Sequence, residues 1–518
     1  MYYCITRMNV MPIVGTLLKK STLVGYTYTK KRKSAQNINQ ENELIDLLQK
    51  AKNTEFGQTF NFSDILGSTT IKNAYRDSVP LFTYETFNSP WIQRVFHGKK
   101  NIIWPGKINY FALSSGTISG ASKRIPVSDK MIRQFQKTSM RQLLTLHELD
   151  FSTAFFESSV LTIGGSTELV EVNGHYEGDL SGILQKQKSL VFKAFSKPGN
   201  KINQLKNWEE KIDKIVEKAP LWDIGVVAGV PSWIIMLVER IIEKYQLTSI
   251  HQIWPNFRLY LHGGVFLDNY KARLDKLCAF PIIYQNTYLA SEGYFAYQLL
   301  PHQKGMTLLQ KHGVYYEFLE EKYFDQVASK TTLEKLPTLL LEEVKENVSY
   351  GLVISTISGL WRYVIGDVVK FTDLEKHELE ITGRISHYLN MTGEHLTVEN
   401  LTSADNNAAS KLNLSIGEFC VIPSKKLDRH YWYIGANQFV DSQVFGVQLN
   451  AELEKLNDDY KALRTYIIKP PKVKFLPLQK FYDYMALNDN AGGQNKFPRV
   501  LNKKQTADWE AFLNCLEW

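Results

Sequence analysis

The stretch ALSSGTISGASKRIPVS, residues 112–128, places glycines and small hydroxyl residues between a run typical of a strand and a run typical of a helix. Backbone N–H groups in such a stretch are open to an anion, and Lys123 adds a positive charge. These are groups that bind a polyphosphate. The stretch differs from the common phosphate-binding loop, which closes on Gly-Lys-Ser/Thr. A Ser/Gly-rich turn that binds nothing explains the same residues, so both interpretations stay open.

The composition is that of an ordinary globular protein. The chain has 518 residues, of which 44% are hydrophobic and 22% charged, and this length predicts two or more domains. The net charge of +8 is spread along the chain, with one tight basic run, KKRK, at residues 30–33. A run of this kind is usually a solvated tail or helix face, so we predict no nucleic-acid partner.

The cysteines and the N-terminal residues predict a cytoplasmic protein without a membrane segment. The cysteines form no CxxC pair and are widely spaced, which argues against disulfides and structural zinc: Cys4, Cys278, Cys420 and Cys515. The N-terminal apolar stretch lacks a small-residue cleavage site, so no signal peptide is expected, and Met8 and Met11 are alternative starts. The apolar run at residues 230–238 is too short to cross a bilayer.

Hydrophobic patterns predict an α/β fold with two domains. Amphipathic helices are predicted at residues 41–52, 131–149 and 208–219. Strands are predicted at residues 257–266, 280–290, 313–320 and 351–357. Strands and helices interleave, which favours the α/β class. The pattern then changes to a hairpin, a helix and a strand, so we predict a large N-terminal domain, residues 1–390, and a small α+β C-terminal domain, residues 391–518.

Three later segments carry charged residues at predicted strand ends and turns. In NTYLASEGYFAYQ, residues 286–298, Glu292 follows a predicted strand and either faces a cleft or caps a helix. In GLWRYVIGDVVKFT, residues 359–372, Asp367 interrupts a strand-like run, so it is a hairpin-turn residue or has a partner. Arg384 follows a Thr-Gly pair further along. Each segment alone has an ordinary structural explanation.

In this order and spacing, the segments resemble the acyl-adenylate-forming enzymes, and most of all the Gretchen Hagen (auxin-responsive promoter) family of acyl-acid amido synthetases. The resemblance runs from about residue 40 to GGQNKFPRV, residues 492–500. The family's nucleotide loop matches Ser114, Ser115, Gly116, Thr117, Gly120 and Lys123. Its Tyr-x-x-Ser-Glu motif matches Tyr288, Ser291 and Glu292. Its Arg-Tyr pair before Gly-Asp matches Arg362, Tyr363, Gly366 and Asp367.

The resemblance implies contacts with ATP or Mg²⁺ for the loop residues and for Tyr288, Ser291, Glu292 and Asp367. The loop and Lys123 would hold phosphates, and Glu292 would bind Mg²⁺. Asp367 would accept hydrogen bonds from both ribose hydroxyls, with Arg384 on the other side. The stretch with His262, Gly263 and Gly264 resembles the one that contacts adenine in related enzymes. A strand that ends in a Gly-Gly turn explains these residues equally well.

Lys496 is the late residue that the resemblance singles out. It would lie on a small, mobile C-terminal domain that brings it over the α-phosphate, although an exposed loop lysine is the ordinary alternative. The implied architecture is a multi-layer N-terminal domain with mixed sheets plus this C-terminal lid, in a monomer or weak dimer.

The implied reaction joins a small carboxylic acid to an amino acid through an acyl-adenylate. Ile118 and Val364 depart from the family pattern, and one phosphate or metal contact is expected to be missing at Ile118. Two alternatives are an acyl-CoA ligase with the same first step and a non-catalytic nucleotide-binding protein. The presence of Glu292, Asp367 and Lys496 argues against the second of these.

Overall fold

The computed structural model describes residues 13–34, 40–114, 123–188, 190–263, 267–329, 333, 336–385, 396, 398–424, 429–457, 460–461, 464, 468–487, 497–501 and 503–514. All structural statements below refer to these residues. The strands, β1 to β18 in chain order, are Tyr110–Ser114, Lys123–Val127, Ser159–Thr162, Val170–Val172, His175–Gly178, Ser196–Lys197, Ile224–Ala228, Leu259–Gly263, Ile283–Ala290, Gly293–Tyr297, Met306–Leu308, Val314–Glu320, Ser349–Thr356, Tyr363–Asp373, Glu378–Arg384, Ile416–Ser424, Arg429–Ala436 and Lys472–Pro477.

The α-helices, α1 to α20 in chain order, are Ile13–Ser34, Gln40–Ala51, Glu55–Thr59, Phe62–Gly67, Ile71–Ser78, Tyr84–Phe87, Gln93–Phe96, Asp129–Leu144, Thr153–Glu157, Leu180–Lys186, Leu190–Ala194, Asn200–Asn203, Trp208–Lys218, Pro231–Tyr245, Asp268–Lys276, Phe324–Ser329, Val398–Lys411, Ser442–Leu456, Leu478–Leu487 and Lys503–Asn514. The helices and strands predicted from the sequence are present within a few residues of their predicted bounds, and the α/β class is confirmed. Among the described residues, no helix combines the length and apolarity that crossing a bilayer requires.

An 11-stranded sheet forms the centre of the large N-terminal part, in the order β12-β13-β14-β15-β11-β10-β9-β8-β7-β3-β6. Strands β6, β3, β7, β8 and β9 pair in parallel, so their carboxyl ends share one edge. From β9 onward the pairing is antiparallel. A second, four-stranded sheet has the order β2-β1-β5-β4. The sheets of this part are therefore mixed, as predicted.

The small C-terminal part is built on a three-stranded sheet, β16-β17-β18, with α17 and α18 packed together beside it. Its own apolar core includes Phe419, Trp432 and Leu449. A second apolar cluster is shared with the large part, because Phe481 and Trp509 join the buried residues of α13 to α15. The predicted boundary at residues 390/391 lies outside the described residues and stays a prediction.

A buried polar contact accompanies this shared cluster. Glu418 of β16 accepts a hydrogen bond of 2.7 Å from Tyr270 Oη of α15 and one of 2.6 Å from Arg499 Nη1. Glu418 is 3% exposed. Tyr270 belongs to the large part and Arg499 to the small part, so one carboxylate links the two.

Removing this carboxylate is expected to destabilise the protein strongly. Glu418→Ala takes away the buried acid with which Arg499, whose side chain is 13% exposed, forms an ion pair, and the free energy of unfolding should fall by about 3 kcal/mol. Tyr270→Phe removes one hydrogen bond and should cost about 1 kcal/mol. Urea unfolding followed by tryptophan fluorescence measures both variants. Equal losses in the two variants would contradict the linking role of Glu418.

Candidate nucleotide-binding site

The carboxylate of Asp367 lies at the centre of the candidate site. Tyr288 Oη donates a hydrogen bond of 2.7 Å to Asp367 Oδ2, and Arg384 Nε donates one of 2.8 Å to Asp367 Oδ1. Asp367 is 6% exposed and Tyr288 is 3% exposed. A buried carboxylate is costly unless it is paired, and these donors meet that requirement. Each oxygen keeps a further lone pair for a ligand.

The strand pairing and one glycine position this carboxylate. Asp367 of β14 lies opposite Arg384 of β15 in the antiparallel register. Gly366 has a φ of +91°, and no atom lies within 4 Å of the place a Cβ would occupy. Glycine is thus required here because of the positive φ angle, and not because a larger side chain would clash with a neighbour. The hairpin-turn interpretation of Gly-Asp is wrong, because Asp367 lies inside a strand and has partners.

Glu292 lies in the tight turn that joins β9 to β10, next to Ser291. Ala290 and Gly293 pair across this turn, so the helix-cap interpretation is wrong. Glu292 is 8% exposed, and burial followed by the nearby charge of Asp367 raises its pKa to about 7. The charges of Arg384 and Lys123 act in the opposite direction. The carboxylates of Glu292 and Asp367 thus lie close enough to Arg384 and Lys123 for all four charges to interact.

This arrangement fits a magnesium ion that is coordinated partly by the protein and partly by substrate phosphates. The described residues contain no group of three or more His, Cys, Asp or Glu side chains able to form a metal cage. Mg²⁺ commonly takes one or two protein carboxylates and completes its shell with water and substrate phosphates. The destabilised carboxylate of Glu292 has the chemistry for such a ligand.

Ser114 and Lys123 form the two ends of the predicted phosphate loop. They are paired with each other across β1 and β2, so the loop is closed at its base. Lys123 Nζ lies 5.3 Å from the centroid of the Tyr84 ring. The sequence predicted a helix soon after the loop. The structure has strand β2 first, and α8 begins at Asp129 after Ser128, whose side chain caps the helix by accepting from Met131 N.

His262 and Gly263 end strand β8, beside β9. His262 is 4% exposed, and burial lowers its pKa to about 4, so the ring is neutral near pH 7. A Cβ on Gly263 would lie 2.4 Å from the carbonyl oxygen of Thr287. The glycine therefore allows close packing of the two strands. This explains Gly263 without a nucleotide, and its predicted contact with adenine stays a prediction.

Arg362 is the motif residue whose position the sequence did not predict. It is 2% exposed and pairs with Glu317, which is 1% exposed, with Nη2 to Oε1 at 3.0 Å. Its Nη1 atom donates to the carbonyl oxygen of Val79 at 2.6 Å. Arg362 thus holds the beginning of β14 from inside the protein. The charged Glu317 within the apolar strand VYYEFLE was the signal for a buried partner.

Part of the predicted site lies outside the described residues, and its roles stay predictions: Ser115, Gly116, Thr117, Ile118, Gly120, Gly264 and Lys496. Among the described site residues, the structure joins Tyr288, Asp367 and Arg384 by hydrogen bonds. Val364, the other departure from the family pattern, is buried in an apolar cluster with Leu81.

Comparison with known proteins identifies the family. The GH3 family N-terminal domain matches residues 28–168, the GH3 family central domain matches residues 307–384, and the GH3 family C-terminal domain matches residues 399–505. Indole-3-acetic acid-amido synthetase GH3.2 of Arabidopsis thaliana is 24% identical over 413 residues, covering 64% of this chain and 71% of the relative. Jasmonoyl–L-amino acid synthetase GH3.5 of Oryza sativa subsp. japonica is 23% identical over 547 residues, covering 89% and 92%.

A solved structure has the same fold. The AtGH3.15 acyl acid amido synthetase in complex with 2,4-DB superposes with a TM-score of 0.74 at 19% identity, covering 95% of this chain and 96% of that one. The resemblance inferred from the motifs is confirmed. The chain belongs to the GH3 family of acyl-acid amido synthetases.

Proposed function

We propose that this chain uses ATP to convert a small carboxylic acid into an acyl-adenylate and then joins the acyl group to the amine of an amino acid. The observation that carries the proposal is the buried carboxylate of Asp367, held by Tyr288 and Arg384 beside Glu292. The names of the relatives support the substrate classes, since they are amido synthetases that act on indole-3-acetic acid or jasmonate.

The chemistry explains why such a site is needed. A carboxylate is a poor electrophile, because its negative charge repels nucleophiles. One carboxylate oxygen attacks the α-phosphorus of ATP, and pyrophosphate leaves. The amine of the amino acid then attacks the acyl carbon, loses a proton, and AMP leaves with that bridging oxygen. The first step brings two anions together, so fixed cations and N–H donors lower its barrier.

Each described residue has a proposed place in the first step. Asp367 accepts the ribose hydroxyls, and Arg384 limits its rotation. Ser114 and Lys123 hold the phosphate loop at its base and supply a hydroxyl and a positive charge. Glu292, and Ser291 beside it, face the phosphates; Glu292 would hold Mg²⁺, which supplies positive charge at the phosphate oxygens.

The remaining parts of the proposal concern the C-terminal domain and the cell. We expect residues from about 391 onward to move as a lid that carries Lys496 to the α-phosphate. Cys278 and Cys420 are free thiols, which supports a cytoplasmic enzyme. A monomer or weak dimer is expected, with neither nucleic acid nor membrane as a partner.

A substrate screen tests the reaction. Pyrophosphate release is measured with ATP and a panel of aryl and alkyl acids, and the product mass is determined after adding mixed amino acids or coenzyme A. Acid-dependent release with an amide product supports the proposal. A thioester product with no amide would identify an acyl-CoA ligase instead, and absence of acid-dependent release across the panel would contradict adenylation.

Asp367→Asn is expected to weaken ATP binding roughly ten- to a hundredfold, because a charged acceptor for the ribose is lost. The matched control is Asp373→Asn, at the C-terminal end of the same strand, where Asp373 Oδ1 accepts a hydrogen bond from the backbone N–H of Lys376. Calorimetric titration with ATP measures both. Unchanged affinity in a folded Asp367→Asn variant would rule out the ribose role.

The raised pKa of Glu292 predicts a pH-dependent effect on stability. Folding favours the protonated acid, so its contribution is full below about pH 4.5 and is lost as the pH rises through about 7. Glu292→Gln cannot ionise. Without ligands it should be about 3 kcal/mol more stable than the wild-type chain at pH 8, and this difference should shrink to under about 1 kcal/mol at pH 5.

Thermal unfolding across this pH range measures the difference, with the exposed Glu510→Gln as control. The same Glu292→Gln variant should lose acid-dependent pyrophosphate release. A stability difference that does not change with pH would contradict the electrostatic account of Glu292.

Lys496 should act mainly in making the adenylate. Lys496→Ala is expected to slow ATP–pyrophosphate exchange by roughly a hundred- to a thousandfold, since an extra cation opposes the repulsion between the two anions. It should convert a synthetic acyl-adenylate and amino acid at close to the wild-type rate. The control is exposed Lys469→Ala. No effect on either step would indicate a solvated lysine, and equal losses would indicate a folding or docking role.

A further inference from the structure

The hydroxyl of Tyr288 is committed to a protein carboxylate. Tyr288 lies on β9 with its ring edge-on to Phe295, at 5.0 Å between ring centroids, and only 3% of the residue is exposed. Its Oη atom donates to Asp367 Oδ2 at 2.7 Å. Burial, with the Asp367 charge next, raises the pKa of Tyr288 well above its ordinary value, so the hydroxyl keeps its proton and donates.

The two donors to Asp367 fix the plane of its carboxylate. Tyr288 engages Oδ2 and Arg384 engages Oδ1, so rotation about the Cβ–Cγ bond would break both hydrogen bonds. An ionised carboxylate has about four lone-pair positions. Two remain, one on each oxygen, and this matches the two hydroxyl donors of a ribose diol.

The two donors differ in rigidity. The side chain of Arg384 is 46% exposed, whereas Tyr288 lies in the core between strands. A long exposed side chain loses more conformational freedom when it is held in one place, so it restrains a partner weakly. The buried tyrosine is therefore the stronger restraint on the orientation of Asp367.

We propose that Tyr288 is a positioning residue, whose hydroxyl orients the Asp367 carboxylate toward both ribose hydroxyls, and that this hydroxyl does not itself contact the nucleotide. The inference rests on the proposed function, because it requires that ATP binds at this site. It gives Tyr288 a role different from direct cofactor contact, which the sequence motif implied.

The test is a calorimetric titration of the full-length protein with the magnesium salts of ATP, 2′-deoxy-ATP and 3′-deoxy-ATP. The variant is Tyr288→Phe, which removes only the hydroxyl. The matched control is Tyr294→Phe on the neighbouring strand β10, since Tyr294 is 4% exposed and its hydroxyl donates to Gln142 at 2.6 Å. Circular dichroism and the melting temperature check that both variants fold.

Tyr288→Phe should bind ATP roughly tenfold more weakly than the wild-type chain. The wild-type chain should lose affinity when either ribose hydroxyl is missing, and this loss should shrink in Tyr288→Phe, because the carboxylate no longer holds the diol. In a double-mutant cycle, Tyr288→Phe should add little to the loss caused by Asp367→Asn. If Tyr288→Phe is partly destabilised, the cycle still measures the energetic coupling between Tyr288 and Asp367 in ATP binding. Tyr294→Phe should leave all three affinities unchanged.

Two results would overturn the inference while leaving the proposed function in place. One is wild-type affinity for all three nucleotides in Tyr288→Phe. The other is an equal loss for all three, with the wild-type penalty for each missing hydroxyl, which would indicate contact with another part of the nucleotide. Failure of the wild-type chain to bind any of the nucleotides would instead overturn the proposed function and this inference with it.

Discussion

The carboxylate of Asp367 ties together three strands of the central sheet and creates the electrostatics of the site. Tyr288 reaches it from β9 and Arg384 from β15. These hydrogen bonds offset the cost of burying the carboxylate of Asp367. Burial, followed by the charge of Asp367, raises the pKa of Glu292 to about 7. The protein thus holds two acids near one another, and ionisation of Glu292 costs stability because the group is buried beside a second negative charge.

The topology explains how the acids meet. Glu292 follows the carboxyl end of β9, the last strand of the parallel half of the sheet, whereas Asp367 lies inside the antiparallel half. Strands β15, β11 and β10 lie between β14 and β9 in the sheet order, so the site joins strands that are not neighbours. The buried pair of Arg362 and Glu317 anchors the beginning of β14, and the hydrogen bonds of Asp367 hold the same strand five residues further on. The motif at residues 362–367 therefore combines Arg362, a buried structural residue, with Asp367, a residue of the candidate site.

The sequence predicted the segments of the site better than their contacts. Local pattern was sufficient to place Glu292 after a strand and to identify the residues that flank the phosphate loop, since these depend on neighbours in the chain. The bond between Tyr288 and Asp367 joins residues 79 positions apart and depends on the order of the strands, which no local pattern encodes. The burial of Arg362 was not predicted, because its partner, Glu317, is 45 positions away in the chain. Strand β2 was missed because it is short and follows a Ser/Gly-rich stretch.

The fate of the carboxylate oxygens tests the central claim most directly. An acid substrate labelled with oxygen-18 at both carboxylate positions is incubated with the enzyme, ATP and an amino acid, and the AMP is analysed by mass spectrometry. Attack of the carboxylate on the α-phosphorus predicts one oxygen-18 atom in AMP and one in the amide. Unlabelled AMP, or ADP with the label in inorganic phosphate, would contradict adenylation and would indicate another route to the activated acid.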